Sequence, residues 1–352
     1  MKFSPPTQHQ KIYVLGACAV LLVVSVYVLK NGTLHRNKIT YSGSGIASSE
    51  TVPVAASGSK NKPLVPPIKP AKVTSATSTT PAKPASPLDT ISATAYIVGN
   101  AATGQIYLSK NPTLENGLAS ISKLFTAIVA QGNMDPNQVI QITPAMLAVY
   151  PNSYGILLGE KFSLSDLFYG MLLQSNDNIA EGIAMAYSSP STYISTPAGT
   201  SPSESAFMAK MNALSASLGL TQTHFEDASG LADGNVSNAK DLFSFGQYLY
   251  KNQQALLGIT DTYSYSVATT TAHLGHDFIN IDPFVGDPHY IGGKTGRTDL
   301  AGEDMLSIFD YKTTSGADYP LVIVVLHSDL SERQNDTSQL YLQAINIINK
   351  QN

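Results

Sequence analysis

The chain has 352 residues, with 21 Lys and Arg against 25 Asp and Glu, and its single cysteine, Cys18, excludes an internal disulfide. The charge is unevenly spread: residues 31–89 carry seven basic side chains against Glu50 and Asp89, whereas residues 90–352 carry 11 basic against 23 acidic ones. A folded part with net charge near −12 argues against nucleic acid as a partner.

Residues 1–11 read as a short cytoplasmic segment. Residues 12–29 form an apolar run of 18 residues between Lys11 and Lys30, near the lower limit for a bilayer-spanning helix. A cleaved signal peptide has a shorter apolar core followed by small residues at the cut. Here the run ends Val26-Tyr27-Val28-Leu29-Lys30, so an uncleaved transmembrane anchor in the cytoplasmic membrane is the expectation. Leu15-Gly16-Ala17-Cys18 only faintly resembles a lipoprotein cleavage box, because most of the apolar run follows the cysteine. Lysines on both sides leave positive-inside counting nearly balanced. Residues 30–90 are rich in Ser, Thr, Pro, Ala and Lys, cannot bury enough apolar surface to fold, and read as an extended linker. Its basic charge suits an anionic membrane or wall polymer, or simply keeps the tether solvated. Residues 91–352 then form one globular domain, long enough for a sizeable core.

Within that domain, 94–98 and 105–108 pattern as two strands joined through Gly99-Asn100-Ala101-Ala102-Thr103-Gly104, whose Asn and Gly suit a hairpin turn. A helix is predicted from near Ser120, with Leu124, Phe125, Ile128 and Val129 on one face. A second begins at the capping pattern Ser163-Leu164-Ser165-Asp166 and continues through Leu167, Phe168, Met171 and Leu172. Further helices are predicted over about 179–187 and 205–218, and another near Asn238 with Ser237 as its cap. Residues 303–309 and 321–326 read as strands, the latter a continuous apolar run suited to a buried position. Leu340, Ile345 and Ile348 mark a last helix. The pattern predicts an α+β domain: one antiparallel sheet built from both ends of the domain, covered by helices, with a mostly helical middle subdomain.

Three short motifs carry chemistry. In Ser120-Ile121-Ser122-Lys123 the serine and lysine are three residues apart, so a helix places them on one face. A serine hydroxyl is a poor nucleophile without a base in reach, and a lysine removed from water becomes a usable one. Leu124 and Phe125 supply apolar neighbours, and a helix start favours negative charge developing at Ser120. The same pattern recurs at Ser57/Lys60, Ser59/Lys62 and Ser237/Lys240; the first two lie in the linker, with no helix to fix their geometry. Gln174-Ser175-Asn176-Asp177-Asn178, between two helical stretches, suits either a helix cap or a serine that passes a proton to a leaving amine. Lys294-Thr295-Gly296, after a loop and before a predicted strand, suits either a turn or a carboxylate-binding site in which the glycine allows close backbone approach.

Taken together and in this order, Leu118-Ala119-Ser120-Ile121-Ser122-Lys123-Leu124, Leu172-Leu173-Gln174-Ser175-Asn176-Asp177 and Gly292-Gly293-Lys294-Thr295-Gly296-Arg297-Thr298 make the chain resemble the serine D-Ala-D-Ala carboxypeptidases. These are the low-molecular-mass penicillin-binding proteins, relatives of the β-lactamases. Leu218-Gly219-Leu220, Thr223-His224-Phe225, Gly230-Leu231 and Ser237-Asn238-Ala239-Lys240-Asp241-Leu242 resemble further landmarks of that family, and the resemblance covers about residues 92–350. It implies a β-lactamase/transpeptidase-like fold and a serine peptidase acting on peptidoglycan peptides outside the membrane, with β-lactams as covalent inhibitors. It implies Ser120 as nucleophile, Lys123 as proton acceptor and Ser175 as donor to the leaving amine. Lys294, Thr295, Gly296 and Arg297 are implied to bind the substrate, with the N–H groups of Ser120 and Arg297 holding the oxyanion. No metal or organic cofactor is implied. Asp177 and Asn178 are also implied to bind the substrate, with one departure: Asp177 occupies the position where the family usually has an Asn whose side-chain amide holds the substrate backbone, and Asn178 fills that role if the turn shifts by one residue.

Other readings remain open at this stage. A DD-endopeptidase shares every motif, a non-catalytic peptidoglycan-binding homologue keeps the fold without turnover, and a β-lactamase lacks a clear segment for a separate deacylating carboxylate. His273-Leu274-Gly275-His276 has a spacing compatible with metal, but beyond Asp277 no third ligand is evident, and an exposed loop is the expectation.

Overall fold

The computed structural model describes residues 87–151, 154–188 and 201–351, so the expected cytoplasmic segment, the anchor at 12–29 and the linker up to residue 86 lie outside the described residues. No helix among the described residues is long and apolar enough to cross a membrane.

Strands β1 (Ala95–Asn100) and β2 (Ile106–Lys110) form the predicted hairpin. Its turn is built by Asn100, whose Oδ1 accepts from the N–H groups of Ala102 and Thr103, both at 2.9 Å. The short strand β3 (Asn116–Gly117) leads into a 3₁₀ turn over Ala119–Ile121 and then helix α1 (Ser122–Asn133). The helix expected from Ser120 thus starts two residues later, because Ala119 takes a left-handed φ of 42° and interrupts the helical path.

Strands β4 (Val139–Gln141) and β5 (Lys161–Ser163) pair around the short helix α2 (Pro144–Leu147). Helix α3 (Leu164–Leu173) is capped as predicted, Ser163 Oγ accepting from the Asp166 N–H at 3.1 Å. Ser175 and Asn176 connect it to α4 (Asp177–Ala186), and α5 (Pro202–Ser217) opens on a full capping box of Ser201 with Glu204. Strand β6 (Val236–Ser237) pairs with β3, and helices α6 (Ala239–Asn252) and α7 (Gln254–Thr260) follow. Asn238, not Ser237, caps α6: its Oδ1 accepts from the Asp241 N–H at 2.8 Å, while the Ser237 hydroxyl bonds Thr223 Oγ1. The segment around His273 and His276 is part of a hairpin of β7 (Ser264–Val267) and β8 (His276–Ile279). Strands β9 (Tyr290–Thr298), β10 (Gly302–Lys312) and β11 (Asp318–Ser328) and helix α8 (Arg333–Gln351) complete the chain order.

The main sheet is antiparallel, in the order β2-β1-β11-β10-β9, so the two ends of the domain meet where β1 pairs with β11. Successive strand residues point to opposite faces. Val322, Val324 and Leu326 therefore enter the core shared with α1 and α6, whereas Leu321, Ile323 and Val325 pack with Leu340, Ala344 and Ile348 of α8. Burial on both faces is the reason the run lacks polar alternation. Lys294-Thr295-Gly296 does not precede a strand; it lies on edge strand β9. A Cβ on Gly296 would stand 3.0 Å from Ala119 Cβ and 3.2 Å from the Ser120 nitrogen, so glycine permits β9 to run this close to the Ser120 turn.

Candidate active site

The helical wall of the site is organised around Lys123, a fully buried side chain of α1. Its Nζ donates to Ser120 Oγ at 2.7 Å, to Asp177 Oδ1 at 2.6 Å and to the Ser229 carbonyl at 2.6 Å. An ammonium has three N–H groups, and three acceptors surround this one. Asp177 opens α4 with only 12% of its side chain exposed, so the ion pair sits largely out of water.

The backbone bringing these groups together is irregular. Ser175 takes φ 58°, an uncommon region for a non-glycine residue, and is held there by the next residue: Asn176 Oδ1 caps α4 by accepting from the Ile179 N–H at 3.1 Å. The cap reading of this motif therefore holds for Asn176, while the neighbouring Ser175 lines the cleft. The loop carrying Ser229 is wound around Asp227, whose Oδ1 accepts from the Ser229 and Gly230 N–H groups and whose Oδ2 accepts from Ala232. Asn235 ties that loop to α1 by donating to Ser122 Oγ at 3.1 Å.

The strand wall is β9. Lys294 is 2% exposed, and its Nζ donates to Ser175 Oγ at 3.0 Å and to the Thr295 carbonyl at 2.9 Å. Burial, reinforced by the positive charge of Lys123, lowers the Lys294 ammonium to about 7. Between the walls lies a cleft of about 1060 Å³, lined among others by Ser120, Ser175, Asp177, Thr295, Arg297 and Arg333. Arg333, from the start of α8, donates from Nη1 to the Gly296 carbonyl at 2.9 Å, and its Nε lies 3.4 Å from Glu303 Oε2. Arg297 Nε lies 3.9 Å from the other oxygen of Glu303.

The structure brings together Ser120, Lys123, Ser175, Asp177, Lys294, Thr295, Gly296 and Arg297, all expected site residues. Asn178 is the exception. It is fully buried, donates from Nδ2 to the Tyr150 carbonyl at 3.2 Å and accepts from the Tyr150 N–H at 2.8 Å. The turn does not shift by one residue: α4 has already begun at Asp177, and successive helical residues point about 100° apart. Asn178 therefore holds the segment carrying Tyr150 and stands outside the lining of the cleft, which Tyr150 and Tyr154 help to form.

Sequence reasoning missed Arg333 and the Asp227 loop. A signal for the first was present: residues 90–352 contain two arginines, Arg297 and Arg333, and both face the cleft. Asp227 followed by Ser229-Gly230 was a readable turn pattern for the second. The His273/His276 pair forms no metal site. His276 Nε2 instead bonds Glu160 Oε1 at 2.9 Å with 8% of its side chain exposed, which corrects the expectation of an exposed loop at that residue. Among the described residues no group of three or more His, Cys, Asp or Glu is placed to hold a metal.

Comparison with known proteins agrees with this geometry. The model of the peptidase S11 family, D-alanyl-D-alanine carboxypeptidase, matches residues 77–329. The chain belongs to that family. Among curated proteins it is similar to a D-alanyl-D-alanine carboxypeptidase of Streptomyces sp. strain K15, 27% identical over 52% of this chain and 62% of that protein. It is also similar to a D-alanyl-D-alanine endopeptidase of Escherichia coli K12, 32% identical over 51% of this chain and 53% of that protein. The matches thus span 53% to 62% of the length of these relatives. In three dimensions the chain shares the fold of the Streptomyces K15 DD-transpeptidase, with a TM-score of 0.63 at 24% identity over 73% of this chain and 98% of that one.

Proposed function

We propose that this protein is a serine-type D-Ala-D-Ala carboxypeptidase that trims peptidoglycan stem peptides through an acyl-enzyme on Ser120. The observation that carries the reading is the Ser120 hydroxyl, hydrogen-bonded to a buried lysine at 2.7 Å and lining a cleft that Ser175, Thr295 and two arginines also line. Arg297, Arg333 and Thr295 supply donors for the terminal carboxylate, and guanidinium groups suit a planar carboxylate. Ser120 Oγ bonds the carbonyl carbon of the penultimate residue as its proton passes to the Lys123 amine, and the peptide C–N bond breaks as the departing D-alanine amine gains a proton by way of Ser175. Water then releases the shortened peptide. The N–H groups of Ser120 and Arg297 are the donors assigned to the oxyanion. β-Lactams, which present a strained amide beside a carboxylate, acylate the same serine. The apolar run at 12–29 anchors the chain in the cytoplasmic membrane with the domain on the outer side, where this substrate lies.

The test is to label the detergent-solubilised full-length protein with a fluorescent penicillin, beside Ser120→Ala. Labelling is expected in the wild type and abolished in the variant, with free D-alanine released from a pentapeptide-ended stem by the wild type alone. A Ser120→Ala protein that still releases D-alanine at the wild-type rate would sink the reading.

A further inference from the structure

The two arginines that line the cleft share one carboxylate that does not line it. Glu303 of β10 stands directly opposite Arg297 in the β9–β10 ladder. Its side chain is 8% exposed, with Oε1 3.9 Å from Arg297 Nε and Oε2 3.4 Å from Arg333 Nε. Both guanidinium groups thus meet Glu303 through Nε. Arg333 gives one Nη1 donor to the Gly296 carbonyl, and the remaining Nη donors of both forks stay available to a ligand in the cleft. The other charged groups nearby have partners of their own or face water. Lys294 donates to Ser175 and the Thr295 carbonyl, and Asp177 pairs with Lys123. Asp304, next on β10, accepts from the His327 N–H, and burial pushes its carboxyl well above the ordinary range. Asp233 and Asp299, the other acids lining the cleft, are exposed, where water weakens their fields.

Two permanently charged guanidinium groups and one buried carboxylate leave this end of the cleft with a single net positive charge. One terminal carboxylate balances it; a residue carrying two would overfill it. Resting on the peptidase reading above, we propose that Glu303 is a specificity-determining residue: by neutralising one of the two arginines, it fits the cleft to peptide ends with a single carboxylate and rejects a terminal residue that carries a second. Glu303 lies off the cleft and acts through Arg297 and Arg333. Its carboxylate also holds two long side chains in place, which lowers the ordering cost of binding for every substrate alike. The electrostatic effect is different in kind, because Coulomb energy grows with the charge of the ligand. Specificity is a difference of affinities, so the ratio between a singly and a doubly charged ending isolates that effect from the shared one.

The experiment compares kcat/KM of the full-length wild type and Glu303→Gln on three stem peptides that differ only in the terminal residue: D-alanine, D-asparagine or D-aspartate. The last two match in size and differ by one charge. The wild type is expected to prefer the D-asparagine ending over the D-aspartate ending by about tenfold, and Glu303→Gln to bring the two within about twofold of each other. A role confined to folding or to holding the arginines lowers both rates by the same factor; a preference that stays near tenfold in Glu303→Gln therefore overturns the proposal. Arg297→Gln shifts the same balance the other way and is expected to widen the preference well beyond tenfold. It carries the test if thermal melting shows that Glu303→Gln is unfolded, and an unchanged preference there overturns the proposal equally. A wild type that cleaves only the D-alanine ending assigns the selection to side-chain size and overturns it as well. Failure of the wild type to release any of the three terminal residues overturns the peptidase reading instead.

Discussion

The two walls of the cleft reach comparable precision by opposite means. The strand wall is a stretch of regular β9, positioned by its ladder with β10 from Tyr290 to Thr298. Its functional side chains follow from strand geometry. The helical wall depends on non-repetitive backbone: Ala119 at φ 42°, Ser175 at φ 58° and Gly230 at φ 92°. Each of these positions is held by neighbours, such as the Asn176 cap and the Asp227 loop. A ladder distributes a perturbation over many hydrogen bonds, whereas a strained turn concentrates it at the residue that does the chemistry. The helical wall is therefore the vulnerable one.

The most direct way to break this contrast is Gly230→Ala. Besides forcing a side chain onto a left-handed φ, the added Cβ would overlap the Ala119 carbonyl immediately before Ser120. The variant is expected to lose about 3 kcal/mol of stability. Its penicillin labelling should fall more than 100-fold, measured on protein shown by circular dichroism to be folded. Labelling near the wild-type rate would show that the turn tolerates displacement.

Asp336→Ala perturbs the opposite side of the sheet. The buried Asp336 carboxylate accepts from the Ser92 and Ala93 N–H groups and from the Ser92 and Ser328 hydroxyls, tying α8 to the start of β1 and the end of β11. Removing it leaves the Ser92 and Ala93 N–H groups unpaired, while the Ser92 and Ser328 hydroxyls keep only each other at 2.9 Å, and is expected to cost about 3 kcal/mol, or roughly 6 to 10 °C in Tm. The folded fraction should keep its labelling rate within threefold, because the β9–β10 ladder does not run through Asp336. A large loss of labelling would mean that the strand wall is less self-sufficient than its ladder suggests.

The smallest effect sharpens the picture of the helical wall. Glu181 accepts from the Ala228 N–H at 2.9 Å and is pushed up to about 8 by burial, with the charge of Asp227 adding to it. A carboxyl whose folded value exceeds its unfolded one binds a proton more tightly in the native state. Its contribution is fully present below the unfolded value of 4.5 and is lost as pH rises through about 8. Glu181→Gln keeps the acceptor and removes the titration. It should leave Tm unchanged at acidic pH after normalisation and raise it at pH 8 to 9, by about 1 kcal/mol or a few degrees. Equal pH dependence in wild type and variant would remove Glu181 from the account.

Much of this protein was written in local patterns. The hairpin at Asn100 and Gly104, the Ser163 cap, the apolar run of β11 and the Ser120/Lys123 spacing depend on side chains within a few residues of one another, where backbone geometry alone fixes what meets what. Both ends of the domain being strands sufficed to predict that they share a sheet. Tertiary structure decided the rest, because the deciding contacts join residues far apart in the chain. The Asp177 carboxylate reached Lys123, and Lys294 reached Ser175, across separations of 54 and 119 residues. Arg333 entered the cleft only because α8 begins beside the Gly296 carbonyl. Asn178 turned away because α4 had already begun one residue earlier, a matter of helical phase that no spacing rule in the motif specifies. The sequence by itself thus determined which groups are available for the chemistry, and the fold decided which lysine has a carboxylate for a partner, since charge pairing follows distance in space and not along the chain.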